Sequence, residues 1–76
     1  MPIVEVKLIE RVFSEEEKRQ MIERLTDVMV SISGEAVRQS THVVIEDVRS
    51  GQWGIGGRPI TTEMVQDMAG RQAATA

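Results

Sequence analysis

The sequence contains no cysteine and only one histidine, His42. Without cysteine the chain forms no disulfide, offers no thiolate nucleophile and cannot build a cysteine-ligated zinc site. A lone histidine also excludes the H-E-x-x-H zinc motif. A chain of this size buries only about 60 to 65% of its unfolded surface, so it needs another source of stability. We therefore expect one small domain, residues 1–76, whose core is completed by further copies of the chain.

Basic residues are outnumbered, nine against twelve acidic ones, for a formal net charge of -3. A phosphate-backbone partner would need a basic face, so nucleic acid binding is not expected. Long apolar runs are also missing, since none approaches the roughly 20 residues of a membrane span. The charges of Glu5 and Lys7 stand too early for a signal peptide. The sequence therefore predicts a cytoplasmic protein with neither a nucleic acid nor a membrane as partner.

Motifs for nucleotides, metals and hydrolysis are absent as well. The glycines of residues 51–57 do not form G-x-G-x-x-G, and no Gly-Lys-Ser/Thr follows them. No spacing supports a serine–histidine dyad. The acidic run 15–17 is typical of a helix N-terminus, where the helix dipole favours negative charge. We expect no cofactor.

Three periodic segments are present. Residues 2–10, PIVEVKLIE, alternate with period 2 and are rich in β-branched side chains, which predicts a strand. Ser14 and Glu17 have the spacing of a capping box, and the apolar residues that follow have helical spacing, so a helix is predicted over Glu15 to Ser33. Residues 41–48, THVVIEDV, predict a second strand with apolar residues on both faces.

A strand, a long helix and a strand form a βαβ unit, whose two strands run parallel through a right-handed crossover. One helix covers only one face of such a sheet, and the other face would stay open in a monomer. Residues 49–60 read as a turn with a hairpin, residues 61–70 as a short helix, and residues 71–76 as a frayed tail. The predicted fold class is α/β: a short βαβ unit with a C-terminal hairpin and short helix, completed by oligomerisation.

The hairpin segment, GQWGIGGRPIT, surrounds the only tryptophan, Trp53, with glycines. Glycine allows positive φ and tight turns, whereas an indole needs a large apolar contact surface. The flanking sequence offers little apolar material to bury Trp53 within one chain. We therefore expect Trp53 to lie at a pocket between subunits, or else simply to pack in a subunit interface.

The N-terminal Met1-Pro2 pair offers a base. Removal of Met1, which is common before a small residue, would turn Pro2 into a free secondary amine. Pro2 begins the strand face that carries Val4, Val6 and Leu8, and apolar surroundings disfavour the charged amine and lower its pKa. Pro2 is therefore a candidate general base near neutral pH.

Taken together, PIVEVKLIE, the capped helix, VVIEDV and GQWGIGG resemble the 4-oxalocrotonate tautomerase family over residues 2 to about 57. The resemblance implies a cofactor-independent tautomerase of small 2-hydroxydienoate or enol-pyruvate-type acids. It further implies a hexamer built as three dimers, with Pro2 as amino-terminal general base and Trp53 as the aromatic pocket wall.

Two departures concern the family arginines that bind the substrate carboxylate. The family's Glu-Gly-Arg is replaced by ERVFS, one residue longer, with Arg11 where the glycine stands. The second arginine aligns with His42, which is otherwise an ordinary strand residue, and the nearest arginine is Arg38. Whether Arg11, Arg38 or His42 substitutes for the family arginines stays open.

Two further functions stay open beside tautomerisation. A secondary amine could also act in hydration or dehalogenation, as a base or as an iminium-forming nucleophile. A non-catalytic oligomeric binding or scaffold protein could retain the same fold. Whether Met1 is removed separates the enzymes from the scaffold.

Overall fold

The computed structural model describes residues 2–70. Its elements, in chain order, are β1 (Ile3–Ile9), α1 (Glu15–Ser33), a 3₁₀ helix (Glu35–Ser40), β2 (His42–Val48), β3 (Trp53–Ile55), β4 (Arg58–Ile60) and α2 (Thr62–Ala69). The predicted strand, helix, strand, hairpin and short helix are all present in this order. Met1 and the predicted tail 71–76 lie outside the described residues.

β1 and β2 form a parallel pair whose register runs from Ile3 opposite His42 to Ile9 opposite Val48. Parallel neighbours need a long crossover, and α1 supplies it. α1 covers the sheet face that carries Val6 and Leu8, because these side chains line a groove together with residues of α1. The α/β fold and the βαβ unit are confirmed.

The ends of α1 follow local chemistry. Ser14 Oγ accepts a hydrogen bond from the Glu17 backbone N–H at 3.1 Å, and the Glu17 carboxylate accepts from the Ser14 N–H at 2.9 Å. This is the predicted capping box. Gly34, at φ 97°, ends the helix. The 3₁₀ helix that follows was not predicted, since its six residues have no helical apolar repeat.

The second face of the β1–β2 sheet is open within the chain. Ile3 is 62% exposed and Val44 is 49% exposed on this face, although both are large apolar residues. Lys7 and Glu46 stand opposite each other on the same face and form an ion pair. The chain alone therefore leaves a mixed apolar and charged surface where the sequence predicted a missing partner.

The core lies at the carboxyl ends of β1 and β2. Ile9, Val12 and Ile60 are buried there, and four half-buried apolar residues pack against them: Phe13, Trp53, Met64 and Val65. Trp53 is only half-buried within one chain, as expected from its flanking sequence, but it does pack against apolar residues of its own chain. Ile60 comes from the neighbouring strand β4, whereas the other apolar residues of the cluster come from β1, the β1–α1 turn and α2.

A chain of hydrogen bonds ties this core together. The Glu10 carboxylate accepts from the Ser50 N–H at 2.7 Å, and Ser50 Oγ accepts from the Thr62 N–H at 2.9 Å. Thr62 Oγ1 donates to the Glu10 carbonyl at 2.8 Å, and Thr62 is fully buried. The ends of both parallel strands and the start of α2 are thereby held at one point.

Lys18 of α1 pairs with Asp47 of β2 at 2.6 Å, and the two side chains differ in exposure, 11% against 40%. We predict that Asp47→Ala destabilises the fold by about 1 to 3 kcal/mol, because the buried ammonium loses its main partner. Lys18→Met should cost less, since it keeps the buried stem and leaves Asp47 in contact with water. Urea unfolding at one fixed protein concentration measures both.

Two results would contradict this prediction: equal losses, or a larger loss for Lys18→Met. The pH dependence gives a second check. The hydrogen bond from Lys18 to Asp47 raises the pKa of Lys18. The stabilisation is therefore complete below the pKa of an unfolded lysine and is lost as pH rises through the folded pKa.

Candidate active site

An apolar groove of about 260 Å³ opens beside the core. The end of β1, the β3–β4 hairpin and α2 line it with Lys7, Leu8, Ile9, Phe13, Trp53, Ile55, Ile60, Val65 and Met68. Of these residues, the sequence singled out only Trp53 as functional. The others converge through tertiary structure, and only their apolar character and the helical spacing of α2 signal them in sequence.

Two glycines shape the hairpin that carries Trp53. Trp53 pairs with Ile60 and Ile55 with Arg58, which leaves Gly56 and Gly57 as a two-residue loop. Their φ angles are 58° and 84°, as a hairpin turn of the primed type requires. The glycines thus close a tight hairpin, and the half-buried indole contacts both the core and the groove.

Pro2 lies at the other end of β1, beside His42. The Pro2 carbonyl accepts a hydrogen bond from the His42 backbone N–H at 3.0 Å, which extends the β1–β2 ladder to the first described residue. Pro2 is half-buried and the His42 side chain is exposed. The four candidate site residues are Pro2, Arg11, His42 and Trp53. Of these, Pro2 and His42 lie next to each other in the folded chain, at the starts of adjacent strands.

Pro2 and Trp53 do not meet within one chain. Lys7, Leu8 and Ile9 of β1 line the groove, so at about 3.3 Å per residue Pro2 lies about 17 to 23 Å from these positions along the strand. Arg11 follows β1 and therefore lies at the groove end of the strand, far from Pro2. A site that combines Pro2 with Trp53 and Arg11 needs more than one copy of the chain.

Arg11 has a left-handed backbone, at φ 63°, and is the one non-glycine residue within 2–70 with positive φ. A left-handed backbone favours glycine, the residue that the resemblance leads us to expect at this position. The Arg11 carbonyl accepts from Gln66 Nε2 at 2.9 Å. Its guanidinium is 3.6 Å from the Glu63 carboxylate, and 45% of the side chain is exposed.

Arg38, the arginine nearest to His42 in sequence, is engaged on the surface. Its guanidinium donates to Asp27 at 2.9 Å and to Glu35 at 2.8 Å. The hydrogen bond from Arg38 lowers the pKa of the Glu35 carboxyl. Two carboxylates thus already occupy the donors of Arg38, which makes it a poorer candidate for a substrate carboxylate than Arg11.

The described part of the chain holds no group of three or more histidine, cysteine, aspartate or glutamate side chains placed to bind a metal ion. Neither of the α-helices within residues 2–70 is long and apolar enough to cross a membrane.

Comparison with known proteins identifies the class. Residues 2–63 match the Tautomerase family, described as tautomerase enzyme. The chain therefore belongs to the tautomerase family. A probable tautomerase of Halalkalibacterium halodurans is 38% identical over 63 residues, which cover 83% of this chain and all of the relative. A probable tautomerase of Staphylococcus aureus is 40% identical over 57 residues, 75% of this chain and 90% of the relative.

Solved structures agree with the predicted resemblance to 4-oxalocrotonate tautomerases. A 4-oxalocrotonate tautomerase isozyme from Methylibium petroleiphilum superposes with a TM-score of 0.67 at 34% identity, over 84% of this chain and 97% of that one. DmpI from Helicobacter pylori gives a TM-score of 0.69 at 31% identity, over 78% and 95%. The fold is that of these enzymes, and tautomerases are isomerases.

Truncation of the indole tests the groove. Trp53→Ala should weaken assembly or the binding of a small carboxylate such as fumarate by about 1 to 3 kcal/mol, as truncated aromatic anchors often do. Trp53→Phe keeps an aromatic ring in the groove and should weaken assembly or binding less than Trp53→Ala does. Light scattering and calorimetry measure the two properties. Unchanged assembly and unchanged affinity in Trp53→Ala would remove Trp53 from both roles.

Proposed function

We propose that the protein is a cofactor-independent tautomerase that interconverts the enol and keto forms of small 2-hydroxydienoate or enol-pyruvate-type acids. The observation that carries this proposal is that the family match begins at Pro2, the residue that becomes a secondary amine when Met1 is removed. The apolar groove with Trp53 supports it, since small-molecule sites are mostly apolar with few polar groups.

In this mechanism the Pro2 nitrogen is the general base. It takes the hydroxyl proton of the enol, the oxygen lone pair forms the carbonyl, and the double bond shifts. The protonated amine then returns the proton to a carbon of the substrate, so that no proton is gained or lost overall. Pro2 begins the strand face of Val4, Val6 and Leu8, and such surroundings keep the amine neutral by lowering its pKa.

Other site residues have complementary roles in this proposal. Trp53 forms the wall against the carbon skeleton of the substrate. Arg11 binds the substrate carboxylate, since a guanidinium recognises a carboxylate with two parallel hydrogen bonds. His42 stands at the second arginine position beside Pro2, where imidazole cannot reproduce that fork. Recognition of a second carboxylate is correspondingly weaker.

Assembly brings these residues together in the proposal. Pro2 of one copy reaches the groove of another copy, because about 17 to 23 Å of β1 separates Pro2 from the groove-lining residues of its own chain. The open sheet face with Ile3 and Val44 supports an assembly, as do Val28 and Ile32 of α1, which are 53% and 76% exposed. The proposed assembly is a hexamer built as three dimers.

Light scattering tests the assembly directly. At micromolar concentration we expect the mass of a hexamer. Val44→Glu should dissociate it, because a carboxylate in the covered face would lose its hydration without a partner. A stable, folded monomer of the unaltered chain would contradict the proposal. If the protein is a dimer, the proposed hexamer of three dimers is wrong, but the open sheet face can still be covered by the second copy.

The base is tested with three proteins side by side: processed protein, protein that retains Met1, and Pro2→Ala. Ketonisation of phenylenolpyruvate, followed by enol absorbance, should rise with pH in processed protein as one group loses its proton. Retained Met1 should cost about 100 to 10,000-fold, the contribution of a general base. Pro2→Ala keeps a primary amine after processing and should be slower but active. Equal rates in all three proteins, above buffer, would exclude Pro2 as base and favour a scaffold.

A further inference from the structure

α2 adds a feature that the family match does not account for. The match ends at residue 63, in the first turn of α2. Nevertheless α2 is fastened to the turn between β1 and α1. Thr62 Oγ1 donates to the Glu10 carbonyl at 2.8 Å, and Gln66 Nε2 donates to the Arg11 carbonyl at 2.9 Å. Two successive carbonyls of the turn are thus held by side chains of one helix.

These two hydrogen bonds stabilise the backbone of Arg11. A left-handed conformation is unfavourable for a residue with a Cβ atom, and it persists where the surroundings determine it. Here the determinants are Thr62, which is fully buried, and Gln66, one turn further along α2. α2 therefore sets the direction in which the Arg11 side chain leaves the turn.

The same helix places a carboxylate against the guanidinium. Glu63 Oε2 lies 3.6 Å from Arg11 Nη2, with 66% of the Glu63 side chain and 45% of the Arg11 side chain exposed. An ion pair with this exposure is screened by water and adds little to stability. It is also easily displaced, so a carboxylate from outside can compete for the same donors.

We propose that Glu63 is a specificity-determining residue, an internal carboxylate that competes with the ligand carboxylate for Arg11 and disfavours ligands with two negative charges. The inference rests on the proposed role of Arg11 in binding the substrate carboxylate. A ligand that displaces Glu63 leaves that charge a few ångströms away. The displaced Glu63 carboxylate repels the single carboxylate of a monoacid, whereas it repels both carboxylates of a diacid.

The test uses two acids of equal carbon number, crotonate with one carboxylate and fumarate with two. Their dissociation constants are measured by calorimetry on the assembled protein. Glu63→Gln should tighten fumarate binding about twofold to fivefold and crotonate binding less, which is the range for one exposed ion pair. In the kinetic assay the same variant should lower KM for an enol acid and leave kcat unchanged.

Two controls separate the pair from other effects. Asp67→Asn makes the same charge change on an exposed residue of α2 and should leave the ratio of the two affinities unchanged. Arg11→Gly removes the cation with a residue suited to positive φ. In the Arg11→Gly background, Glu63→Gln should no longer change the ratio, because the competition needs Arg11.

The outcomes discriminate between this inference and the function on which it rests. Suppose that Arg11→Gly weakens the binding of both acids while Glu63→Gln leaves the ratio of their dissociation constants unchanged. Arg11 then binds carboxylates without competition from Glu63, and the inference is overturned. If Arg11→Gly changes neither affinity, or if neither acid binds, the role of Arg11 fails and the inference with it. If Glu63→Gln weakens the binding of both acids, Glu63 only supports α2, and this result also overturns the inference.

Discussion

The structure depends on how the chain buries apolar surface around a two-stranded parallel sheet that a single long helix covers on one face. α1 covers one sheet face, and the remaining core forms at the strand ends, around Ile9, Val12 and Ile60. Thr62 makes this arrangement possible, because its hydroxyl and N–H satisfy polar groups of two other segments in a site without water access. The hairpin and α2 are placed by the same contacts that close the core.

Placement of the groove follows from this junction. The hairpin leaves β2 through a turn and returns beside the end of β1, so that Trp53 meets residues from both ends of the sequence. Pro2, the proposed base, lies at one end of β1, and the groove lies at the other end. A split of this kind makes the proposed chemistry a property of the assembly, since neither half of the site is useful alone.

The bounds of α1 and, within a residue, those of β1 and β2 could be predicted because local chemistry determines them. Ser14 and Glu17 cap α1 within three residues of each other, and Gly34 ends it. The groove could not be predicted, since Phe13, Ile60 and Val65 meet only after folding. No sequence pattern signals the pairing of Arg11 with Glu63 either, because the two residues are 52 positions apart.

The half-buried position of Trp53 also determines the intrinsic fluorescence of the protein. The chain has one tryptophan and no tyrosine, so practically all of its near-ultraviolet emission originates from a single indole that contacts both the core and the groove. In most proteins several fluorophores average the signal over distant regions. Here the emission spectrum of the entire molecule reports the polarity of one place, and that place is the wall of the candidate active site.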